Sequence, residues 1–166
     1  MKHPVYWGGP NQEYRYALWR IWGDEANFVQ FVGLNPSTAD EDLDDPTIRR
    51  CVQFAKDWGF EALCMTNLFA FRATEPKNMK AAEAPVGPQN DVWLKEVARE
   101  AGTVIACWGA HGDFQGRDLA VVHLIPTMKC LKLTKDNRHP RHPLYLKKDL
   151  VPIDYVHPTL RNSEGT

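Results

Sequence analysis

Four short strand-like runs, each broken by a polar turn and separated from the next by a helix-like or glycine-marked segment, constrain this chain more than any other feature. They lie at residues 28–34 (FVQFVGL), 62–71 (ALCMTNLFAF), 103–108 (TVIACW) and 129–133 (KCLKL). The first is a nearly continuous apolar run, as expected of a strand buried on both faces. After it, Asp45 suits a helix N-cap and Pro46 the first helical position, and Ile48, Cys51, Val52, Ala55 and Trp58 recur on one helical face before Gly59. A second helix is predicted over residues 88–101, with Leu94, Val97, Ala98 and Ala101 inward and Gly102 past its end. A third is predicted over 116–123, and residues 72–87 read as a loop. Strand–helix alternation of this kind predicts a parallel sheet with helices on both faces. The expected fold class is therefore α/β: a three-layer α/β/α domain with a four-stranded parallel sheet. Residues 14–22 alternate apolar and polar before a Gly23-Asp24 turn, which predicts an added N-terminal antiparallel hairpin with the strand that follows. One domain should span residues 1–160, with 161–166 as a flexible tail.

Composition limits what such a domain does. The 166 residues carry 20 basic and 21 acidic side chains, a net charge of −1, which excludes a strongly basic nucleic-acid protein but not a local basic groove. No apolar run nears the roughly 18 residues of a membrane helix. The first residues hold no apolar signal core, so no membrane partner and a cytoplasmic location are expected. Cys51, Cys64, Cys107 and Cys130 contain no CxxC pair and read as buried free thiols.

In parallel-sheet folds, ligands bind beyond the carboxyl ends of the strands. Polar segments follow each strand here. Gly33-Leu34-Asn35-Pro36-Ser37-Thr38 forces a sharp turn, because the proline fixes its own φ and restricts Asn35. It would set the Asn35 amide and the Ser37 and Thr38 hydroxyls in the crevice, or it is a locally capped turn. Asn67 is an amide inside an apolar run, so it either stitches backbone or offers a donor and an acceptor to a ligand such as a nucleobase edge. Trp108 precedes a glycine and suits either core packing or a pocket edge. Asp40, Glu41, Asp42, Asp44 and Asp45 suit a solvated loop leading into a helix better than a hard-metal site. Residues 126–150 hold seven basic and two acidic side chains, and within them His139-Pro140-Arg141-His142-Pro143 suits an anionic ligand or nucleic-acid backbone, or is a solvated basic face.

Two resemblances follow from these residues. The segments Asn35-Pro36-Ser37-Thr38-Ala39-Asp40, Asp45-Pro46-Thr47-Ile48-Arg49-Arg50, Asn67-Leu68-Phe69-Ala70 and His142-Pro143-Leu144-Tyr145 resemble a bacterial and phage domain-of-unknown-function family, from about residue 14 to 146. More distantly, the order of motifs is similar to the uracil-DNA glycosylase superfamily. There a Gly-x-Asn/Asp-Pro turn, an Asn, an apolar strand ending in Gly and a His-Pro loop follow in that order. Here Gly33-Leu34-Asn35-Pro36, Asn67, Val104 to Gly109 and two His-Pro pairs occupy those places.

That resemblance implies a uracil-DNA-glycosylase-like fold and a metal-independent, cofactor-free DNA glycosylase acting on a modified or damaged base, in DNA repair or antiviral defence. Asn35 would position the attacking water. His142, or His139, would stabilise charge on the departing base. Asn67 would read the flipped base, in a pocket lined by Gly33, Ser37, Thr38 and Trp108. Arg141, with Arg138 and Lys135, would hold DNA phosphate. DNA is the expected partner and a monomer the expected state. The second His-Pro pair and the acidic run depart from the superfamily and point to a base other than uracil, such as a phage-type modified base. The alternatives are an enzyme on free nucleotides or modified nucleobases, and a non-catalytic nucleic-acid-binding module.

Overall fold

A computed structural model describes residues 3–161. In chain order its elements are β1 (Val5–Gly8), β2 (Tyr14–Ile21), β3 (Phe28–Gly33), α1 (Pro46–Asp57), β4 (Ala62–Asn67), α2 (Pro76–Ala81), α3 (Asn90–Glu100) and β5 (Thr103–Ala106). A 3-10 segment (Ala110–Gly116), α4 (Arg117–Leu124), β6 (Met128–Cys130), β7 (Ile153–Tyr155) and α5 (Pro158–Arg161) complete it.

The α/β class holds, but the sheet is not the expected four-stranded parallel, uracil-DNA-glycosylase-like arrangement. Seven strands form one mixed sheet in the order β1-β2-β4-β3-β5-β6-β7. Its parallel part is β4-β3-β5-β6. The expected N-terminal hairpin forms between β1 and β2, not between β2 and β3. β2 instead lies antiparallel along β4, with Leu18 opposite Met65 and Ile21 opposite Ala62. The connection after β2 passes over the start of β4: the Trp22 and Gly23 amides donate to Glu61 O, and the Glu61 amide donates to Asn27 O. Six extended residues span far more than the roughly 10 Å between next-nearest strands, so a short link can skip one strand. At the other edge β7 pairs antiparallel with β6. β7 has only three residues, two of them exposed, so it carries no period-2 signal. The 72–87 loop contains the short helix α2, opened by Pro76. Of the expected tail, Arg161 ends α5, and residues 162–166 lie outside the described part.

The two faces of β3 dictate the layers. Val29 and Phe31 pack with Leu63 and Met65 against Ile48, Cys51 and Phe54 of α1. Val32 faces the other way, with Val104 and Ala106, toward Leu94 of α3 and Val121 and Val122 of α4. Gln30 is fully buried on that second face and is satisfied in part by donating from Nε2 to Thr66 Oγ1 and Leu94 O. All four cysteines are free and buried. No helix among the described residues is long and apolar enough to cross a membrane.

α1 begins as its sequence demands. Asp45 Oδ1 accepts the Ile48 amide at 2.8 Å, and Pro46 occupies the first turn. The acidic run before it is a folded loop wrapped around Arg20 of β2. That guanidinium donates from Nε to Asp44 Oδ1 (2.8 Å), and from Nη2 to the carbonyls of Asp40 (2.6 Å) and Leu43 (3.1 Å). Asp40 Oδ1 in turn accepts the amides of Asp42 and Leu43, and Glu41 accepts from Trp7 Nε1. The carboxylates thus hold backbone, indole and guanidinium groups. Arg20→Ala should remove one ion pair and the donor to two loop carbonyls. We expect a loss of about 2–4 kcal/mol in chemical denaturation, with α1 retained by circular dichroism.

Candidate functional site

The carboxyl ends of β3, β4 and β5 open into a cavity of about 630 Å³, within the usual range for small-molecule sites. Four separate turns build it: Gly33 to Thr38 after β3, Asn67 at the end of β4, Cys107 to His111 after β5, and His142 to Leu144 from the His-Pro loop. The start of α1 and Arg15 of β2 close it.

Gly33 and Asn67 face each other in the parallel register of β3 and β4. A Cβ on Gly33 would lie 2.8 Å from Asn67 Oδ1, so the glycine makes the room in which the amide sits. Asn67 is 3% exposed, and its Nδ2 is buried with no hydrogen-bond partner. Its backbone is fixed from behind, where Asn90 Nδ2 donates to the carbonyls of Asn67 and Leu68. Side-chain amides left unpaired in a buried wall are costly. Asn35 has the opposite arrangement. Its Nδ2 donates to Ala73 O (2.8 Å) and Pro36 O (3.2 Å), which pins the side chain and leaves Oδ1 to accept from a ligand or water. Ser37 and Thr38 also line the cavity.

His142 stands at the rim with a defined tautomer. The Leu144 amide donates to Nδ1 (3.2 Å), so in the neutral ring the proton is on Nε2, which lies 3.5 Å from Thr47 Oγ1. Desolvation pushes its pKa below the ordinary 6.5, opposed by the nearby Asp45 carboxylate. His142 is therefore a neutral hydrogen-bond donor at neutral pH. Cys107 also lines the wall, but burial pushes its thiol up to about 12, which denies it a thiolate's chemistry at neutral pH.

Trp108 is 2% exposed and meets Tyr155 edge-on, so core packing and the cavity wall share one indole. His139 is not in the wall. It is buried beside a smaller hollow that also borders Arg138, Asp118 and His157. His157 Nε2 lies 2.9 Å from Asp118 Oδ2 there. The backbone explains the separation of the two histidines. Pro140 O accepts the Gly109 amide and the Arg141 amide donates to Lys132 O, so the chain is clamped between them. Arg141, Arg138 and Lys135 do not line the main cavity; Arg138 and Lys135 are exposed on the surrounding surface. Sequence reasoning missed Arg15 and His111 as wall residues and read Asp45 as a helix cap and as part of the acidic run, not as cavity lining. His111 follows Gly109 at a strand end, a signal that was available. Arg15 sits inside a strand pattern and gave none.

The family described as "Protein of unknown function (DUF1643)" matches residues 15–144. The chain belongs to that family. The match begins at Arg15 and ends at Leu144, the first and last residues of the cavity wall in chain order. No curated protein and no solved structure matches the chain.

The state of His142 is directly measurable. Its imidazole should titrate below 6.5 by NMR, with the Nε2-protonated tautomer above the transition. Asp45→Asn keeps the helix cap but removes the opposing charge, so the His142 pKa should fall further. A rise in that variant would contradict the electrostatic account. Gly33→Ala should displace the Asn67 side chain and destabilise the fold by about 1–3 kcal/mol in chemical denaturation.

Proposed function

We propose that this chain hydrolyses the N-glycosidic bond of a modified or damaged base in DNA, with the base held in the cavity at the strand ends. One observation carries the reading: Asn67 is an almost fully buried amide on the cavity wall with its Nδ2 unpaired. An amide offers a donor and an acceptor side by side, the pattern that matches a nucleobase edge. The order of motifs, similar to that of the uracil-DNA glycosylase superfamily, supports it. So does the meeting of Asn35, Asn67 and His142 around one space.

The chemistry follows from the groups' states. Asn35 Oδ1 accepts a hydrogen bond from water and orients it, though an amide is too weak a base to take its proton. As the C1′–N bond breaks, its electron pair moves to the base and positive charge builds on the sugar. Water adds to C1′ and releases a proton to solvent. His142 Nε2–H donates to the departing base and stabilises its negative charge without itself being charged. A base in a duplex must first leave the stack. Tyr145, next to the cavity rim, is 95% exposed with φ of 68°, an unusual exposure for a large ring, and suits stacking on bases left unpaired.

A second reading rests on Lys135, Arg138 and Arg141 lying outside the cavity wall. A site without basic side chains from that loop suits a free nucleotide. One assay separates the two. DNA carrying uracil, hydroxymethylated or glucosylated bases is incubated with the protein in EDTA, and alkali-labile breaks are counted beside base release from the matching free nucleotides. We expect breaks with one modified substrate, reduced about 100-fold in Asn67→Ala. Tyr145→Ala should slow the reaction on DNA about tenfold or more and leave any free-nucleotide reaction unchanged. Release from free nucleotides alone would establish the second reading. No release from either would overturn both.

A further inference from the structure

Arg15 is 3% exposed, lines the cavity, and has no ion-pair partner among the described residues. Its guanidinium has five N–H donors. Its side chain makes one hydrogen bond, from Nη1 to Ala39 O at 2.9 Å, and its Nε is buried with no partner. Arg20, in the same strand and equally buried, holds a carboxylate and three carbonyls. The difference between the two is that no carboxylate among the described residues is in ion-pair contact with Arg15. Asp45 is the nearby acid that favours its charge, and that carboxylate already caps α1. Arg72 and Arg20 add repulsion. Burial lowers the Arg15 pKa to about 10, which still leaves it a cation at neutral pH.

The backbone is shaped to aim this side chain. In the β1–β2 ladder Tyr6 pairs with Ala17 and Trp7 with Arg15, so Tyr16 is an extra residue on β2. Ala17 packs with Cys64 and Val97 on the α3 side of the sheet. With an unbroken two-residue period, Arg15 would point to that same side. The extra residue reverses the phase. Tyr16 stacks toward Trp93 of α3, and Arg15 reaches Ala39, which packs with Leu18 on the α1 side. β-Bulges are used to re-aim side chains beside functional sites. A buried cation without a partner is expensive, and a bulge that directs it into a cavity supplies its use.

We propose that Arg15 recognises an anionic oxygen on the molecule that fills the cavity, either a nucleotide phosphate or a carboxylate on a modified base. This rests on the cavity being the ligand site, as proposed above, but not on the bond that is cleaved there. The planar fork of the guanidinium suits both groups.

The test is thermal unfolding of the full chain at constant ionic strength, with chloride replaced by inorganic phosphate, by deoxyuridine 5′-monophosphate, or by orotate as a carboxylated pyrimidine. Deoxyuridine is the neutral control. We expect at least one anion to raise the Tm by about 3–6 °C at about tenfold above its Kd, with no rise in Arg15→Met and a weaker rise in Arg15→Lys. A response to phosphate and the monophosphate assigns the anionic group to the sugar-phosphate; a response to orotate alone assigns it to the base. Without anion, Arg15→Met should melt at or above the wild-type temperature, because it removes an unpaired buried charge. Should Arg15→Met fail to fold, the Arg15→Lys comparison decides, since it keeps the charge and loses the fork. No shift with any anion, equal shifts in wild type and Arg15→Met, or an equal shift with deoxyuridine would overturn the proposal. Anion binding that is lost in Arg15→Met, in a protein that releases no base from any substrate, upholds Arg15 and removes the glycosidic reading. Base release indifferent to Arg15→Met does the reverse.

Discussion

β3 has neither a free edge nor a free face. It pairs in parallel with β4 and β5, and each of its six residues is buried. A strand so enclosed is apolar except for Gln30, has a helix on each side, and here ends beside its neighbours. That last feature sets three carboxyl termini side by side and lets three turns converge on one space. Gly33 closes the arrangement. It is the last residue of β3 and lies opposite Asn67, with no side chain to displace the amide. The cavity is thus a product of strand register as much as of its lining residues.

The polar groups of the cavity divide by how their bonds are used. Asn35 is held by two carbonyls and offers an acceptor. Asn67 is held by its backbone and offers an unpaired donor. His142 has its Nδ1 occupied and offers a neutral N–H. Arg15 is held by one carbonyl and offers charge. Each is fixed on one side and free on the other, which is how preorganised sites avoid reorganisation when charge develops. Of the neighbouring acids, Asp44 is paired with Arg20, while Asp45 caps α1 and still acts across the cavity on Arg15 and His142.

Much of this was legible in the amino-acid order because it is local. Asp45-Pro46 announces a helix start by its own side chain and its own fixed φ. The Gly-x-Asn-Pro turn stands out because proline fixes its geometry, and Asn67 because an amide inside an apolar run needs a partner; residues of both line the cavity. The failures are equally physical. β2 reads as a hairpin partner of β3 because the short link between them holds a turn at Asp24, whereas Trp22, Gly23 and Asn27 tie that link to Glu61 at the start of β4. His139 and His142 look equivalent three residues apart, yet backbone bonds at Pro140 and Arg141 send them to different hollows.

Sequence by itself determined the α/β class, the capped first helix and the polar turns at the strand ends, since each depends on side-chain period, proline geometry or capping within a few residues. Tertiary structure alone decided the strand order, which of the two histidines lines the cavity, and the placement of Arg15 in its wall. Strand order depends on which edges remain to be paired, and edges are properties of the assembled sheet. Arg15 reads as an ordinary strand residue until a one-residue offset against β1 turns it to the other face, where it is buried without an ion pair among the described residues. Register and dielectric environment arise only when distant segments meet.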